Sequence, residues 1–187
     1  MRCPQKECVS TQQAKGYATV EDFCSVFAEG MEDLYQLSFL LTGDHQKAEQ
    51  CFIAGLEDCI QSNCMFREWA RRWAKRTIIQ NSIRELRPRP KHNSISPTTA
   101  LLYMGERSVS QGRHFEPGVL LALEDFERFV FVMSVLERYS EHDCVLFLGC
   151  TRREIEEART RSFAQLMDSR QSVPSCKNYS EKVSEIQ

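Results

Sequence analysis

FREWARRWAKRTIIQNSIRELRPRPK, residues 66–91, interleaves basic side chains with two tryptophans and three isoleucines and then ends in a Pro/Arg run. Nine of its residues are basic and two are acidic, so its local net charge is +7 in a chain whose formal net charge is −2. Such an excess indicates either a solvated basic face or an anionic partner, and the small number of compensating acids favours nucleic acid.

The same stretch predicts a helix with two different sides. Phe66, Trp69 and Trp73 recur at helical spacing, and we expect them to form the side that packs in the core. Pro88 and Pro90 end the helix, because proline removes a backbone donor and clashes with the preceding turn. The outer side carries the residues that could meet an anionic partner: Arg71, Arg72, Lys75, Arg76, Gln80 and Arg84. A core helix with a solvated basic face is the alternative.

The composition is that of a globular protein with one or two small domains: 187 residues, 42% hydrophobic and 27% charged. The sequence has no run of about 18 apolar residues and its N-terminus lacks the apolar core of a secretory leader, so we expect a cytoplasmic protein without a membrane partner. The nine cysteines include no CxxC pair. We therefore expect Cys24, Cys51, Cys59 and Cys144 to be core residues, with no metal site and no cofactor.

The periodicity along the chain predicts an all-α fold, because no segment alternates apolar and polar residues for long enough to form a strand. Thr19 and Asp22 predict the start of a helix, and Gly43 predicts its end. Asp44 is expected to cap the next helix. A second long helix is predicted from Pro117 through Leu136. The predicted organisation is an N-terminal arm (1–17), a three-helix domain (18–87), a flexible linker (88–117), a helix-turn-helix domain (118–168) and a tail (169–187).

Two capping patterns flank Gly149 and predict a helix-turn-helix. Ser140 with Asp143 opens the first helix, and Thr151 with Glu154 opens the second. The second helix would place its N-terminus in the major groove of DNA, although an αα-hairpin with a purely structural role is the alternative. The candidate DNA contacts of this motif are Ser140, Thr151, Arg152, Arg153, Glu154 and Arg159.

Three segments together carry a family resemblance: LYQLSFLLTGDHQKAEQ (34–50), FREWARRWAKRTIIQNSI (66–83) and LEDFERFVFVMSVLERYSEHDCVLFLGCTRREIEEARTR (123–161). In their order and spacing they resemble the small, two-domain extracytoplasmic-function type of bacterial sigma-70 family factor. The first looks like that family's opening conserved helix and Gly-Asp turn, the second like its −10 helix, and the third like its −35-binding domain.

The resemblance implies a transcription initiation factor that binds core RNA polymerase and promoter DNA, and it allows an anti-sigma protein as a further partner. The outer side of the 66–91 helix would contact the −10 element, and the helix-turn-helix the −35 element. The implied polymerase contacts are Glu49, Gln50, Ile53 and Ala54. No enzyme activity is expected, since no nucleophile–base pair or phosphate-binding loop stands out.

The sequence departs from the family pattern in three places, and these departures support a second hypothesis. Arg76 and Gln80 replace the usual polar pair of the −10 helix. The family's polymerase-binding patch is acidic and rich in glutamine. In this chain the matching positions are Gln50, Ile53 and Ala54, and Glu49 is the acidic residue that remains. The loop before the −10 helix is reduced to residues 61–65. The second hypothesis is therefore a diverged sigma-like protein that binds DNA or a protein partner without initiating transcription.

Overall fold

The computed structural model describes residues 16–62, 65–90 and 117–171. Across these residues the chain forms α-helices and no strand beyond one isolated bridge between Tyr17 and Phe66, so the predicted all-α fold is confirmed. A 3₁₀ turn, Arg67–Trp69, precedes α4, and a π-helical segment, Val132–Leu136, follows α6. The helices are α1 (Val20–Glu29), α2 (Met31–Thr42), α3 (His45–Gln61), α4 (Ala70–Leu86), α5 (Pro117–Leu121), α6 (Asp125–Phe131), α7 (Glu141–Leu148) and α8 (Arg152–Gln171).

The predicted helix ends are confirmed at α1 and α2. The Asp22 backbone N–H donates to Thr19 Oγ1 over 3.2 Å, and the Asp22 carboxylate accepts from the Thr19 N–H over 2.9 Å. Gly43 ends α2 with φ of 68°, a left-handed conformation that glycine adopts without steric cost. Asp44 caps α3 by accepting from the Lys47 N–H over 2.9 Å. Local side-chain chemistry thus decides where these helices begin and end.

Two predicted helices are each divided in the structure. The helix expected from Thr19 to Gly43 breaks at Gly30, so the predicted three-helix domain contains four helices. A Cβ at Gly30 would lie 2.9 Å from the Val26 carbonyl oxygen, which shows that a glycine is needed at this turn. The helix expected through Pro117 and Leu136 is interrupted at residues 122–124. The apolar positions at helical spacing from Leu120 to Met133 are buried on both sides of this break, whereas Leu136 is exposed.

The cysteine prediction is right at three positions and wrong at one. Cys51, Cys59 and Cys144 are buried, whereas Cys24 is exposed. Burial raises the pKa of both the Cys59 and the Cys144 thiol to about 11, so these thiols stay protonated at neutral pH. Cys24 points outward because Phe23 and Phe27 occupy the buried stripe of α1.

α3 and α4 approach each other closely at Gly55. A Cβ at Gly55 would lie 2.8 Å from Ile78 Cγ1, so only glycine allows α4 to pack at this distance. The Thr77 hydroxyl is directed to the Gly55 carbonyl oxygen at 3.2 Å and to the Ala74 carbonyl oxygen at 2.8 Å. This contact fixes which side of α4 remains available to other partners.

Helices from both predicted domains contribute to one hydrophobic cluster. α2 packs against α5, α6 and the π-helical segment, and α4 contacts α7. The buried Arg128 of α6 donates to the Leu41 carbonyl oxygen at the end of α2 over 3.2 Å and to the Leu123 carbonyl oxygen over 3.0 Å. It also pairs with Asp125 at 2.6 Å. The division into domains 18–87 and 118–168 stays a prediction.

Most of the predicted arm, of the linker and of the tail lies outside the described residues. Among the helices that are described, none combines the length and the apolar character needed to cross a bilayer.

Candidate nucleic-acid interface

The aromatic residues before α4 lie on the surface, contrary to the prediction that they form its core side. Phe66 is 41% exposed and Trp69 is 55% exposed. The helix begins only at Ala70, and residues 67–69 form a 3₁₀ turn, so the helical spacing does not extend back to Phe66. Phe66 instead stacks on Tyr17 with ring centroids 5.0 Å apart.

The core side of α4 consists of smaller residues than expected. Ala70, Ala74 and Ile78 are fully buried, and small side chains there allow the neighbouring helices to come close. Trp73 is half-buried, and its indole N–H donates to Ser62 Oγ over 3.1 Å. The prediction for Trp73 is therefore partly right, and the basic residues retain the outer side of the helix.

Two of the predicted basic contacts are paired within the N-terminal half. Arg71 forms an ion pair with Asp33 at 2.9 Å, and both side chains are exposed. Arg84 pairs with Asp58 at 3.1 Å and also donates to the Asn81 side-chain oxygen over 3.1 Å. Exposed pairs of this kind contribute little to stability, and phosphates can displace their carboxylates.

Lys75 and Arg76 face the C-terminal half. The Lys75 ammonium lies 2.9 and 2.7 Å from the two carboxylate oxygens of Glu137. The Arg76 guanidinium lies 4.6 Å from the ring centroid of Phe147 and 5.8 Å from that of Trp73. The outer side of α4 is thus partly covered by the segment that leads into the helix-turn-helix and by α7.

A groove of about 270 Å³ runs between α4 and α7. Arg76, Gln80 and Arg84 line its α4 side, and Asp143, Leu146 and Phe147 line its α7 side. Gln80 and Arg84 also line a second groove, of about 260 Å³, between α3 and α4. The predicted −10-like residues Arg76, Gln80 and Arg84 therefore meet at one place, whereas Arg71 is paired with α2.

The helix-turn-helix consists of α7, a turn at Gly149 and α8. Gly149 has φ of 61°. The Thr151 N–H donates to Glu154 Oε2 over 2.7 Å, and the Glu154 N–H donates to Thr151 Oγ1 over 3.3 Å. The predicted capping pattern is confirmed, and it engages Glu154 within the protein, away from a base edge.

The N-terminus of α8 presents Arg152 and Arg153 on a largely exposed surface. Arg152 pairs with Glu141 and, at 3.4 Å, with Glu156. Arg153 pairs with Glu157 at 2.7 Å, and the hydrogen bond and negative charge of Glu157 raise the pKa of Arg153. Both guanidiniums are accessible, but a phosphate must compete with carboxylates for them.

The remaining predicted residues of the helix-turn-helix have different environments. Thr151 is exposed, and Ser140 is the exposed N-cap of α7. Arg159 is half-buried on α8. The most exposed basic part of the predicted set is Arg152 with Arg153.

α8 is held against α6 by a pair that the sequence analysis did not identify. Arg161 donates to Glu127 Oε1 over 2.9 Å, and the Ser162 hydroxyl donates to the Glu127 carbonyl oxygen over 3.1 Å. Glu127 and Arg161 lie 34 positions apart, so no local pattern indicates the pair. The contact sets the direction in which the N-terminus of α8 points.

The predicted polymerase contacts lie on the outer surface of α3. Glu49, Gln50 and Ile53 are exposed, and Ala54 is half-buried. An exposed isoleucine beside polar residues is compatible with a protein-binding surface, although single exposed apolar residues are common.

No protein-family model matches this chain, and no curated protein matches it. Its function is therefore inferred from the helices themselves.

Replacing Asp143 with asparagine is expected to remove part of the acid sensitivity of folding. The Ser140 hydroxyl and backbone N–H donate to the Asp143 carboxylate over 2.6 and 3.3 Å, which lowers the pKa of Asp143 below its usual 3.8. The stabilisation is complete above the unfolded-state pKa and is lost as the pH falls through the folded-state pKa. The variant should be about 0.5–1 kcal/mol less stable at pH 7 and show a shallower loss of stability in acid.

Thermal denaturation monitored by circular dichroism at several pH values measures this effect. Glu29→Gln, which removes an exposed carboxylate, is the control and should keep the wild-type pH dependence. An unchanged acid profile in Asp143→Asn would contradict the prediction.

Proposed function

We propose that this protein is a cytoplasmic sigma-like transcription initiation factor that binds core RNA polymerase and contacts promoter DNA through α8 and α4. The observation that carries the proposal is the helix-turn-helix with an exposed basic N-terminus, formed by Arg152 and Arg153 directly after the Gly149 turn. The order of the three segments that resemble the sigma family adds support from the sequence.

The chemistry at the N-terminus of α8 suits duplex DNA. The helix dipole places partial positive charge there, and two guanidiniums add full charges. Thr151, Arg152 and Arg153 would face base edges and phosphates when this end enters a major groove. Because Glu141, Glu156 and Glu157 pair with these arginines, we expect few net phosphate contacts, and therefore weak non-specific binding with a shallow dependence on salt.

The second binding surface is α3, which would contact the polymerase. The exposed Glu49, Gln50 and Ile53 support a protein contact that is less acidic than the one the sigma family uses. The expected affinity is therefore lower than that of a typical family member, and the contact would depend on Ile53 as well as on charge.

A second candidate function is DNA or protein binding by a sigma-like protein that does not initiate transcription. The buried Arg128 favours it, because this residue fixes α6 to the end of α2. A factor that contacts two separated promoter elements needs its DNA-binding parts at a suitable distance, and a shared core restricts that adjustment.

Two measurements distinguish these functions. Affinity capture with core RNA polymerase tests the α3 contact, and in vitro transcription from duplexes selected by the purified protein tests initiation. Polymerase binding with transcription supports the initiation factor. DNA selection without polymerase binding supports the second candidate, and neither DNA nor polymerase binding would overturn both.

Replacing Arg153 with glutamine is expected to weaken binding to a selected duplex about tenfold or more, since one good base or phosphate contact contributes about 1–3 kcal/mol. The salt dependence should also become shallower, by about 0.9 in the slope for each lost phosphate contact. Fluorescence anisotropy of a labelled duplex over a range of salt concentrations measures both quantities.

Arg67→Gln is the matched control, because Arg67 is another exposed arginine with a carboxylate partner, Asp22, at 2.9 Å. It lowers the net charge equally but lies outside the proposed surfaces. If both variants weaken binding to the same extent, the helix-turn-helix is not the DNA contact.

A further inference from the structure

Part of the basic side of α4 is occupied from within the protein, at Lys75 and Arg76. We propose that the segment Glu137–Phe147 competes with nucleic acid for Lys75 and Arg76, so that α4 binds nucleic acid only after this segment releases it. The inference rests on the proposed function and concerns the regulation of the same surface.

The contact between Lys75 and Glu137 is partly buried. The two side chains are 29% and 16% exposed, and the ammonium reaches both carboxylate oxygens. A pair that is shielded in this way is less weakened by solvent and salt than the exposed pairs of Arg71 and Arg84. The carboxylate of Glu137 thus takes the place that a phosphate oxygen would take on Lys75.

Arg76 is occupied by an aromatic face. Phe147 lies under its guanidinium at 4.6 Å, a distance at which a cation is attracted to the ring. Phe147 is itself positioned by Tyr139, with ring centroids 5.6 Å apart in an edge-to-face arrangement. A phosphate or base that approaches Arg76 from the α7 side must displace this ring.

Further negative charge lies on the same side of the groove. Asp143 of α7 lines the groove opposite Arg76 and Arg84. Glu137 and Asp143 together repel a polyanion that enters between α4 and α7 and attract the cations of α4. The Asp143 carboxylate thus lies in the same groove as the guanidiniums of Arg76 and Arg84, and Glu137 adds its charge at Lys75, outside the groove lining.

The contacts that cover α4 are separate from the one that anchors the C-terminal half. Arg128 binds the end of α2 from α6, whereas Glu137 and Phe147 lie after α6, at the end of the π-helical segment and on α7. Release of Lys75 and Arg76 thus requires the Glu137 and Phe147 side chains to move away from them, and it does not involve the Arg128 contact. By reciprocity, a ligand that binds α4 favours the released state to the same extent that release favours the ligand.

The test is the binding of a short fluorescein-labelled duplex of mixed sequence to the full chain, measured by anisotropy. Glu137→Gln keeps the size of the side chain and removes its charge, and it should bind the duplex about fivefold tighter than the wild type or more. Glu29→Gln removes the same charge from the exposed end of α1, and its affinity should change less than twofold, as expected for a distant screened charge. Phe147→Leu should also tighten binding, although it changes no charge.

The Glu137→Gln substitution in a Lys75→Gln variant tests whether its effect depends on the contact between Lys75 and Glu137. When Lys75 is already glutamine, Glu137→Gln should tighten binding no more than Glu29→Gln does, because its partner is absent. Thermal melts establish that each variant is folded.

The outcomes separate the inference from the proposed function. Arg153-dependent binding with no gain from either Glu137→Gln or Phe147→Leu would overturn the inference and leave the proposed function intact. An equal gain from Glu137→Gln with and without Lys75 would also overturn it. No binding by any variant would overturn both.

Discussion

Replacing Arg128 with methionine is expected to lower the free energy of unfolding by about 2–4 kcal/mol, because it leaves buried carbonyl oxygens without their charged donor. The guanidinium donates to the Leu41 and Leu123 carbonyl oxygens and pairs with Asp125, and its side chain is buried. Methionine fills much of the volume but leaves both carbonyl oxygens without this donor. The Leu41 carbonyl lies in the last turn of α2, where no helical N–H is available for it.

Urea denaturation followed by circular dichroism measures this loss. Because α2 and α6 share the contact, we expect the variant to lower the midpoint of one transition that involves both halves of the described chain. Arg67→Met is the control. The Arg67 side chain is 73% exposed, and Asp22 keeps its hydrogen bonds with Thr19, so the loss of this pair should cost no more than about 0.5–1 kcal/mol. Equal effects in the two variants would show that Arg128 does not join the halves.

Replacing Arg161 with methionine is expected to destabilise the protein by about 3–5 kcal/mol, because it leaves Glu127 buried without its cationic partner. The Glu127 side chain is 5% exposed, and its Oε2 has no hydrogen-bond partner among the described residues. Arg161 provides both contacts to Oε1, from Nε and from a terminal nitrogen, each at 2.9 Å.

Substitution of the other partner, Glu127, should lower the free energy of unfolding by less. Glu127→Gln leaves Arg161 in a site that is 23% exposed and 4.0 Å from Glu157, so its charge keeps access to solvent and to a second carboxylate. We expect a loss of about 1–2 kcal/mol for Glu127→Gln. The double variant should be more stable than Arg161→Met alone, since it removes the unpaired buried charge.

Urea denaturation of the two single variants and the double variant gives the coupling between the residues. A loss of less than about 1 kcal/mol for Arg161→Met is typical of a surface pair. Such a result would show that the buried Glu127 carboxylate is not stabilised by Arg161.

The helix ends were predictable because their signals are local. Thr19 with Asp22, Ser140 with Asp143 and Thr151 with Glu154 act over three positions, and a short side chain needs no tertiary contact to cap a helix. These patterns also located the turn between α7 and α8 correctly, whereas the role of that pair in DNA binding stays a prediction.

The predictions that were wrong placed residues in a continuous helix because their apolar spacing matched it, although the helix begins or breaks between them. Phe66 and Trp69 match the spacing of α4, but the helix begins after them and both are exposed. The break at Gly30 was missed for the same reason, because the apolar residues on either side continue the same spacing. Periodicity shows which residues face a core within a helix, but not whether the helix is continuous.

The sequence by itself determined that this protein is all-α, where most of its helices are capped, and which side of α4 carries the cations. Only the tertiary structure decided what those cations contact, that Arg128 joins α6 to α2, and that Arg161 supports Glu127. Lys75 and Glu137 are separated by 62 positions, and Arg128 and Leu41 by 87. Capping depends on atoms within one helical turn, whereas these contacts depend on how whole helices pack, which no short pattern of residues specifies.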